Sequence, residues 1–288
     1  MPESKSLTQA DILAGLRLLG IQPGFRLIAH SSLRSFGTVE GGALTVIQAL
    51  MEAVTPQGTL LMVSFNHEAP FQDGPGYYHP LETPTIDGAI PDLFWRLPGV
   101  QRSLDPTHAF AAWGRDAVRY TAAHHRTLTM GPESPLGLLH ADGGYGLLLG
   151  VGYEVNTFHH VVETCTEAPC LGKRSEAYPV ILPDGRRVMG RTWGWRGSPC
   201  PINDESRYPA EMRRRGLEKV IHIGESRVTL FRLADCYQVI AGLLRTGIDG
   251  YPPCSGCSIR PRLVPQTVAS DWDEADARPL PDSVAWTY

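Results

Sequence analysis

Residues 25–65 read "FRLIAHSSLRSFGTVEGGALTVIQALMEAVTPQGTLLMVSF", and the order of periodicities inside this stretch decides the fold class. "FRLIAHSS" is a short apolar run ending in small polar residues, as a buried strand does. "GGALTVIQALMEAV" sets Leu44, Ile47, Leu50, Met51 and Val54 at helical spacing, and "GTLLMVSF" is a second buried-strand candidate. Strand, loop, helix and strand in succession make a βαβ unit, which favours a largely parallel sheet with helices on its faces. The fold class is α/β.

Working outward, Thr8 followed by Asp11, with Ile12, Leu13, Leu16 and Leu19, predicts a capped amphipathic helix that stops at Gly20. Residues 66–84, "NHEAPFQDGPGYYHPLETP", have no period and are rich in Pro, Gly and aromatics, so they read as a long functional loop. A helix follows Asp87; "HAFAAWG" and "DGGYGLLLGVGY" supply further strands, and the run Leu147 to Val151 suits a strand covered on both faces. "AYPVILPDGRRVMGRTW" alternates on both sides of Pro183-Asp184-Gly185 and predicts a hairpin. "SRVTLFRLADCYQVIAGLL" gives one more strand and a helix, with Leu233, Val239, Ile240 and Leu243 on its apolar side. No internal repeat or sharp linker divides residues 1–288, which are read as a single domain with an irregular tail from about 246 to 288.

Composition narrows the function. With 42% hydrophobic and 19% charged residues, the chain can bury a large core, while 30 glycines and 24 prolines imply many turns. A formal charge of −4 and the absence of a Lys/Arg-rich run argue against a nucleic-acid partner. The N-terminus carries acids early and no long apolar stretch, and no segment approaches the ~20 apolar residues of a membrane span. The expected location is the cytoplasm, where the six cysteines would be thiols or metal ligands.

Soon after the apolar run stands "GVGYEVNTFHHVVE", residues 150–163. In a helix beginning near Asn156, His160 and Glu163 lie three apart on one face, while His159 is expected to point about 100° away. A carboxylate beside an imidazole favours its charged form and fixes its tautomer, the arrangement a general base needs. A metal site is the weaker reading, because the i, i+4 spacing of a helical zinc motif is missing, and no metal is assigned. Structural histidines near a strand end are the alternative. Position favours chemistry, since ligands of open α/β sheets collect outside the carboxyl ends of the strands.

A second loop on the same rim spans residues 30–46. Ser31 and Ser32 offer hydroxyls and amides, and Gly41 and Gly42 open a helix whose N–H groups suit a phosphate or an amide-rich chain. There is no Walker loop and no GxGxxG, which removes support for nucleoside triphosphate and dinucleotide readings. Close helix-strand packing would explain the glycines equally well.

Together "HSSLRSFGTVEGGALTVIQALMEAVTPQGTLLM", "DPTHAFAAWG", "GPESPLGLLHADGGYGLLLGVGYEVNTFHHVVE" and "SRVTLFRLADCYQVIAGLL" resemble, in order, the aminoglycoside 3-N-acetyltransferase family of antibiotic N-acetyltransferases. The resemblance runs from about residue 7 to about residue 245. It implies a layered α/β/α fold with a central mixed, largely parallel sheet, distinct from the GNAT acetyltransferases, and acetyl-CoA as cosubstrate. It implies that the HSSL-type loop and Gly-Gly helix contact pantetheine and phosphates, at Ser31, Ser32, Leu33, Thr38, Gly41 and Gly42 here. The family's PTHS segment corresponds to Pro106 to Ala109, which adds His108, Ala109 and Phe110 to the cofactor set. Here Ala109 replaces the usual serine, and Asp105 stands where histidine is common. The family's catalytic histidine follows a small hydroxylated residue by three and precedes a glutamate by three, a spacing met by Thr157, His160 and Glu163. The implied chemistry is direct: His160 takes a proton from an amine as it attacks the thioester, with Glu163, or else Glu154, as orienter.

Glu154 and Asn156 are the candidate substrate-binding residues. An aminoglycoside is polycationic, and Glu68, Asp87, Glu154, Glu167, Asp204 and Glu205 lie in loops able to form an acidic cleft or a solvated surface. A transferase acting on another amine in biosynthesis or detoxification, and a non-catalytic acyl-CoA-binding protein, remain alternatives. Cys165 and Cys170, with the CxxC of Cys254 and Cys257, suggest a structural zinc that pins the tail. The sequence carries no sign of oligomeric state.

Overall fold

A computed structural model describes residues 6–67, 69–166, 178–190 and 201–246. In chain order the strands are β1 (Arg26–Ser31), β2 (Thr59–Phe65), β3 (Gln101–Arg102), β4 (His108–Gly114), β5 (Tyr145–Leu149), β6 (Tyr178–Ile181), β7 (Arg187–Gly190), β8 (Glu218–Ile223) and β9 (Ser226–Arg232). The α-helices are α1 (Gln9–Leu19), α2 (Ala43–Val54), α3 (Ala69–Gln72), α4 (Ala89–Phe94), α5 (Ala117–Thr121), α6 (Pro135–Ala141), α7 (Phe158–Cys165), α8 (Tyr208–Arg214) and α9 (Leu233–Thr246).

Seven strands form one sheet in the order β3-β4-β2-β1-β5-β9-β8, and β6 pairs with β7 separately. The sheet is mixed, as expected, but the expectation that it is largely parallel is corrected. Only β1 with β2 and β1 with β5 run parallel, while the flanking pairs are antiparallel. The reason is local. The βαβ unit supplies a long crossover only at the centre; at the edge, β8 reaches β9 through Gly224-Glu225, and a two-residue turn joins antiparallel strands. Gly224 takes a φ of 59°, which such turns require.

Side chains alternate across the pleat and divide the core into two layers. Ile28, Leu61, Val63, Phe65 and Leu148 face a cluster with residues of α5 to α9. Leu27, Ala29, Leu60, Met62, Leu147 and Leu149 face another built on α1, α2 and α4. α1 begins as the sequence predicts: the Thr8 hydroxyl accepts the Asp11 N–H, the Asp11 carboxylate accepts the Thr8 N–H, and Gly20 ends the helix at φ 106°.

The long loop is anchored. Tyr78 exchanges backbone hydrogen bonds with Pro179 and Ile181 of β6, and it packs with Leu104, Ala109, Val180 and Leu182 in a third cluster. Buried Arg102 donates to the carbonyls of Ser64, Pro80 and Thr83, tying the loop to β2. These contacts, with the parallel centre, set one rim: the carboxyl ends of β1, β2 and β5 and the amino end of antiparallel β4, where Phe65 is paired with His108.

Candidate active site

A cavity of about 550 Å³ opens at this rim. Its wall brings together His30 and Ser31 from β1, His67 from the loop after β2, His108 from β4, and His159 and His160 from α7, with Asp87 and Glu154. Five imidazoles thus reach one space from four segments of the chain.

α7 starts just beyond β5 because Gly150, at φ 68°, turns the chain sharply. The Asn156 carboxamide oxygen accepts the Phe158 N–H and its nitrogen donates to the Tyr208 hydroxyl. Asn156 lines the cavity, as its candidacy for substrate binding requires, yet its polar atoms serve to hold the helix start. One turn on, His160 Nδ1 lies 2.9 Å from Glu163 Oε2, and Glu163 is completely buried. The spacing expected from the sequence is therefore realised. Glu154 does not take that place: its carboxylate lines the cavity and accepts the Gly152 N–H at 3.0 Å. His159 departs from expectation. Its ring lies 4.0 Å from that of His160, centroid to centroid, and also lines the cavity, because its Nδ1 is drawn 2.6 Å from the Asn156 carbonyl.

His30 is joined to the same helix, with Nε2 3.1 Å from Thr157 Oγ1, and burial holds its pKa down to about 4. Burial also pushes His108 well below the ordinary range, helped by the neighbouring His67, His160 and His124. Burial thus favours the neutral form of both rings. Asp87 accepts the Phe65 N–H and the Thr85 hydroxyl, and burial raises its pKa.

Of the expected cofactor-binding residues, Ser31 and His108 line the cavity. Ser31 Oγ and His30 Nδ1 are buried with no hydrogen-bond partner among the described residues. Ser32, Leu33, Thr38, Gly41 and Gly42 lie beyond this wall, along the loop from β1 to α2. The Ser32 N–H is engaged by the Leu149 carbonyl, and Leu33 packs partly against the α1 and α2 layer. Gly41 and Gly42 take φ values of 72° and 62° and start α2. Ala109 and Phe110 are set apart from the cavity: both side chains are fully buried, one in the cluster around Tyr78 and the other against Phe65 and His124. Asp105 accepts the N–H groups of Thr107 and His108 and the hydroxyl of Thr129, so it shapes the entry to β4.

A family model described as aminoglycoside 3-N-acetyltransferase matches residues 28–245. The chain belongs to the aminoglycoside 3-N-acetyltransferase family. Among its relatives, the prophage-derived aminoglycoside N(3')-acetyltransferase-like protein YokD of Bacillus subtilis is 34% identical over 200 residues, which cover 63% of this chain and 72% of YokD. Aminoglycoside N(3)-acetyltransferase IV of Salmonella is 37% identical over 182 residues, 62% of this chain and 66% of that one. The crystal structure of aminoglycoside acetyltransferase AAC(3)-IVa, a histidine-to-alanine variant in complex with a gentamicin, superposes with a TM-score of 0.72 at 30% identity, over 85% of this chain and 90% of that chain. The fold is that of this acetyltransferase family, and the chain is an acyltransferase by membership.

Sequence reasoning left out His30, His67 and Asn203 as site residues. His30 stood in the quoted HSS run at a strand end, which was a usable signal. His67 takes an unusual φ of 48° for a non-glycine residue and meets His108 edge-on. Asn203 donates to the Glu154 carbonyl. Of the other acids, Glu68 and Glu167 lie outside the described residues, and Asp204 and Glu205 are not on the cavity wall. The suggested zinc cysteines Cys170, Cys254 and Cys257 also lie outside the described residues, while Cys165 ends α7 as a free thiol. Among the described residues, no helix is long and apolar enough to cross a membrane.

Proposed function

We propose that this chain transfers acetyl from acetyl-CoA to an amino group, the 3-amino group, of an aminoglycoside, with His160 as general base and Glu163 as its orienting carboxylate. The observation that carries the reading is the 2.9 Å contact between His160 Nδ1 and the fully buried Glu163 at the wall of the cavity. Nδ1 then holds its proton toward Glu163, which makes Nε2 the basic nitrogen of the ring. As the amine attacks the thioester carbon, its proton passes to Nε2; the carbon–sulfur bond breaks, and the leaving thiolate takes that proton from the imidazolium, which releases CoA as the thiol and restores the base. The negative charge of Glu163 steadies the imidazolium formed in between. No covalent enzyme intermediate is required.

The donor fits the residues present. Ser31 offers a buried hydroxyl with no partner among the described residues, suited to the amides of a pantetheine arm, and Ser32, Leu33, Thr38, Gly41 and Gly42 continue from it along the loop toward the start of α2. On the acceptor side, Asp87 and Glu154 supply acidic groups for a polycation. A cytoplasmic location belongs to this reading, because acetyl-CoA is drawn from that compartment. We read residues 1–288 as one acetyltransferase domain with an irregular tail from about 246 to 288; in support, one seven-stranded sheet carries the rim, and helices pack on both its faces.

The test is release of free CoA thiol on mixing the protein with acetyl-CoA and a panel of aminoglycosides. His160→Ala is expected to lower kcat by about 10²- to 10⁴-fold with CoA affinity kept. Turnover that survives this substitution would overturn the assignment. Turnover with other amines but none with aminoglycosides would overturn the substrate class alone.

A further inference from the structure

His159 and His160 are neighbours on a helix, where side chains ordinarily diverge by about 100°. Here both rings line the cavity, 4.0 Å apart and tilted by 40°. Each is also held by its Nδ1, His159 at the Asn156 carbonyl, 2.6 Å away, and His160 at the Glu163 carboxylate, 2.9 Å away. A histidine tied at Nδ1 to a carbonyl or carboxylate has its tautomer fixed and its Nε2 basic, which is how metal-ligating histidines are supported. Donor atoms of His159, His160 and Glu163 all lie within 4.8 Å of one another, and none of the three residues is exposed. Their types, two imidazoles and a carboxylate, suit a borderline divalent ion such as Zn²⁺.

We infer that His159 and His160, backed by Glu163, form a binding site for a divalent transition-metal ion, and that the ion inhibits by occupying the nitrogen that must accept the substrate proton. Zinc–nitrogen bonds are about 2.0–2.1 Å long, so ligands around one ion sit roughly 3.3 Å apart. The donor atoms, within 4.8 Å of one another, would have to draw together by rotation of the two rings. Both rings line the cavity, so water could fill the remaining coordination positions. A metal bound there blocks the base without contributing to the reaction, because it removes the lone pair that acetyl transfer uses. Binding itself stands on the geometry; only the inhibition rests on the function proposed above.

The experiment uses the full chain after treatment with a chelator and alkylation of its thiols, which takes the cysteines out of the competition for zinc. Zn²⁺ affinity is measured by competition with a chromogenic chelator, and acetyl transfer is followed in parallel. The expected result is one ion bound per chain, loss of activity over the same zinc range, and recovery with EDTA. His159→Gln and His160→Gln should each weaken Zn²⁺ binding tenfold or more, with circular dichroism and melting unchanged from the parent. Zinc binding that is equal in the parent and both variants, or that is absent from the alkylated parent, overturns the inference. Inactivity of the metal-free parent toward every amine would instead count against the proposed function, and leaves the binding measurement to decide the metal site by itself.

Discussion

Glu163 has no exposed surface, and its carboxylate meets the ring that sits between it and the cavity. Glutamine in its place keeps the shape and one acceptor oxygen but removes the charge that steadies an imidazolium. Glu163→Gln is therefore expected to lower kcat by about 10²-fold, within the range of general-base effects, and to change either KM less than about threefold. Steady-state kinetics with each substrate varied separately would check this; a change confined to KM would contradict an orienting role. His30 acts differently, since its ring is buried against Thr157 and burial lowers its pKa to about 4 from an ordinary 6.5. The folded state resists protonating it, whereas the unfolded chain does not. Its contribution is present in full above pH 6.5 and declines as the pH falls toward about 4, amounting to about 3 kcal/mol at most. Burial shifts His108 and His124 in the same direction, so they add to the loss. Urea unfolding between pH 7 and pH 4.5 should show this decline, and His30→Gln should make the slope shallower by close to one proton. An unchanged slope would mean that His30 stays neutral in both states or is charged in both.

At the scale of elements, the link from β5 to α7 decides where the histidines stand. Gly150 carries a φ of 68°, and a Cβ placed on it would lie 1.7 Å from Ser35 Oγ and 2.7 Å from Ser226 Oγ. Gly150→Ala thus combines left-handed strain with overpacking and is expected to cost about 2–4 kcal/mol, with part of the relief coming from movement of α7. A chemical-denaturation midpoint and kcat should fall together; a variant as stable and as active as the parent would refute the coupling. Much of this level was legible beforehand. The capping box at Thr8 and Asp11, the βαβ unit, the β6–β7 hairpin and the His160–Glu163 spacing are local patterns, and each appears in the structure. β8 was not legible, because half of its side chains are exposed, one is buried, and they show little alternation. The direction of His159 was lost to a single backbone carbonyl, that of Asn156, which periodicity does not include. The place of His30 depends on Thr157, 127 positions away, and such a contact is settled by strand order alone.

Taken as a whole, the molecule puts imidazoles and acidic side chains where its two proposed substrates meet. The formal charge is −4, and the described residues lining the cavity include Asp87 and Glu154 but no lysine or arginine. A polycationic acceptor approaching this rim is attracted from a distance, while an anionic donor gains nothing from the same field and must be held by short-range contacts. Screening separates the two. The Debye length falls from about 10 Å at 0.1 M salt to about 3 Å at 1 M. Raising the ionic strength from 0.05 M to 0.5 M should therefore increase KM for the aminoglycoside by roughly tenfold, while KM for acetyl-CoA stays level or falls. Glu154 is the more exposed of the two acids, and among the described residues its carboxylate accepts the nearby Gly152 N–H, so Glu154→Gln changes charge with little disturbance of the fold. It should raise the acceptor KM at low salt and flatten the salt dependence, leaving the donor KM as it was. An acceptor KM indifferent to salt in both proteins would show that hydrogen bonding and shape select the amine, and that the field of the rim has no part in it.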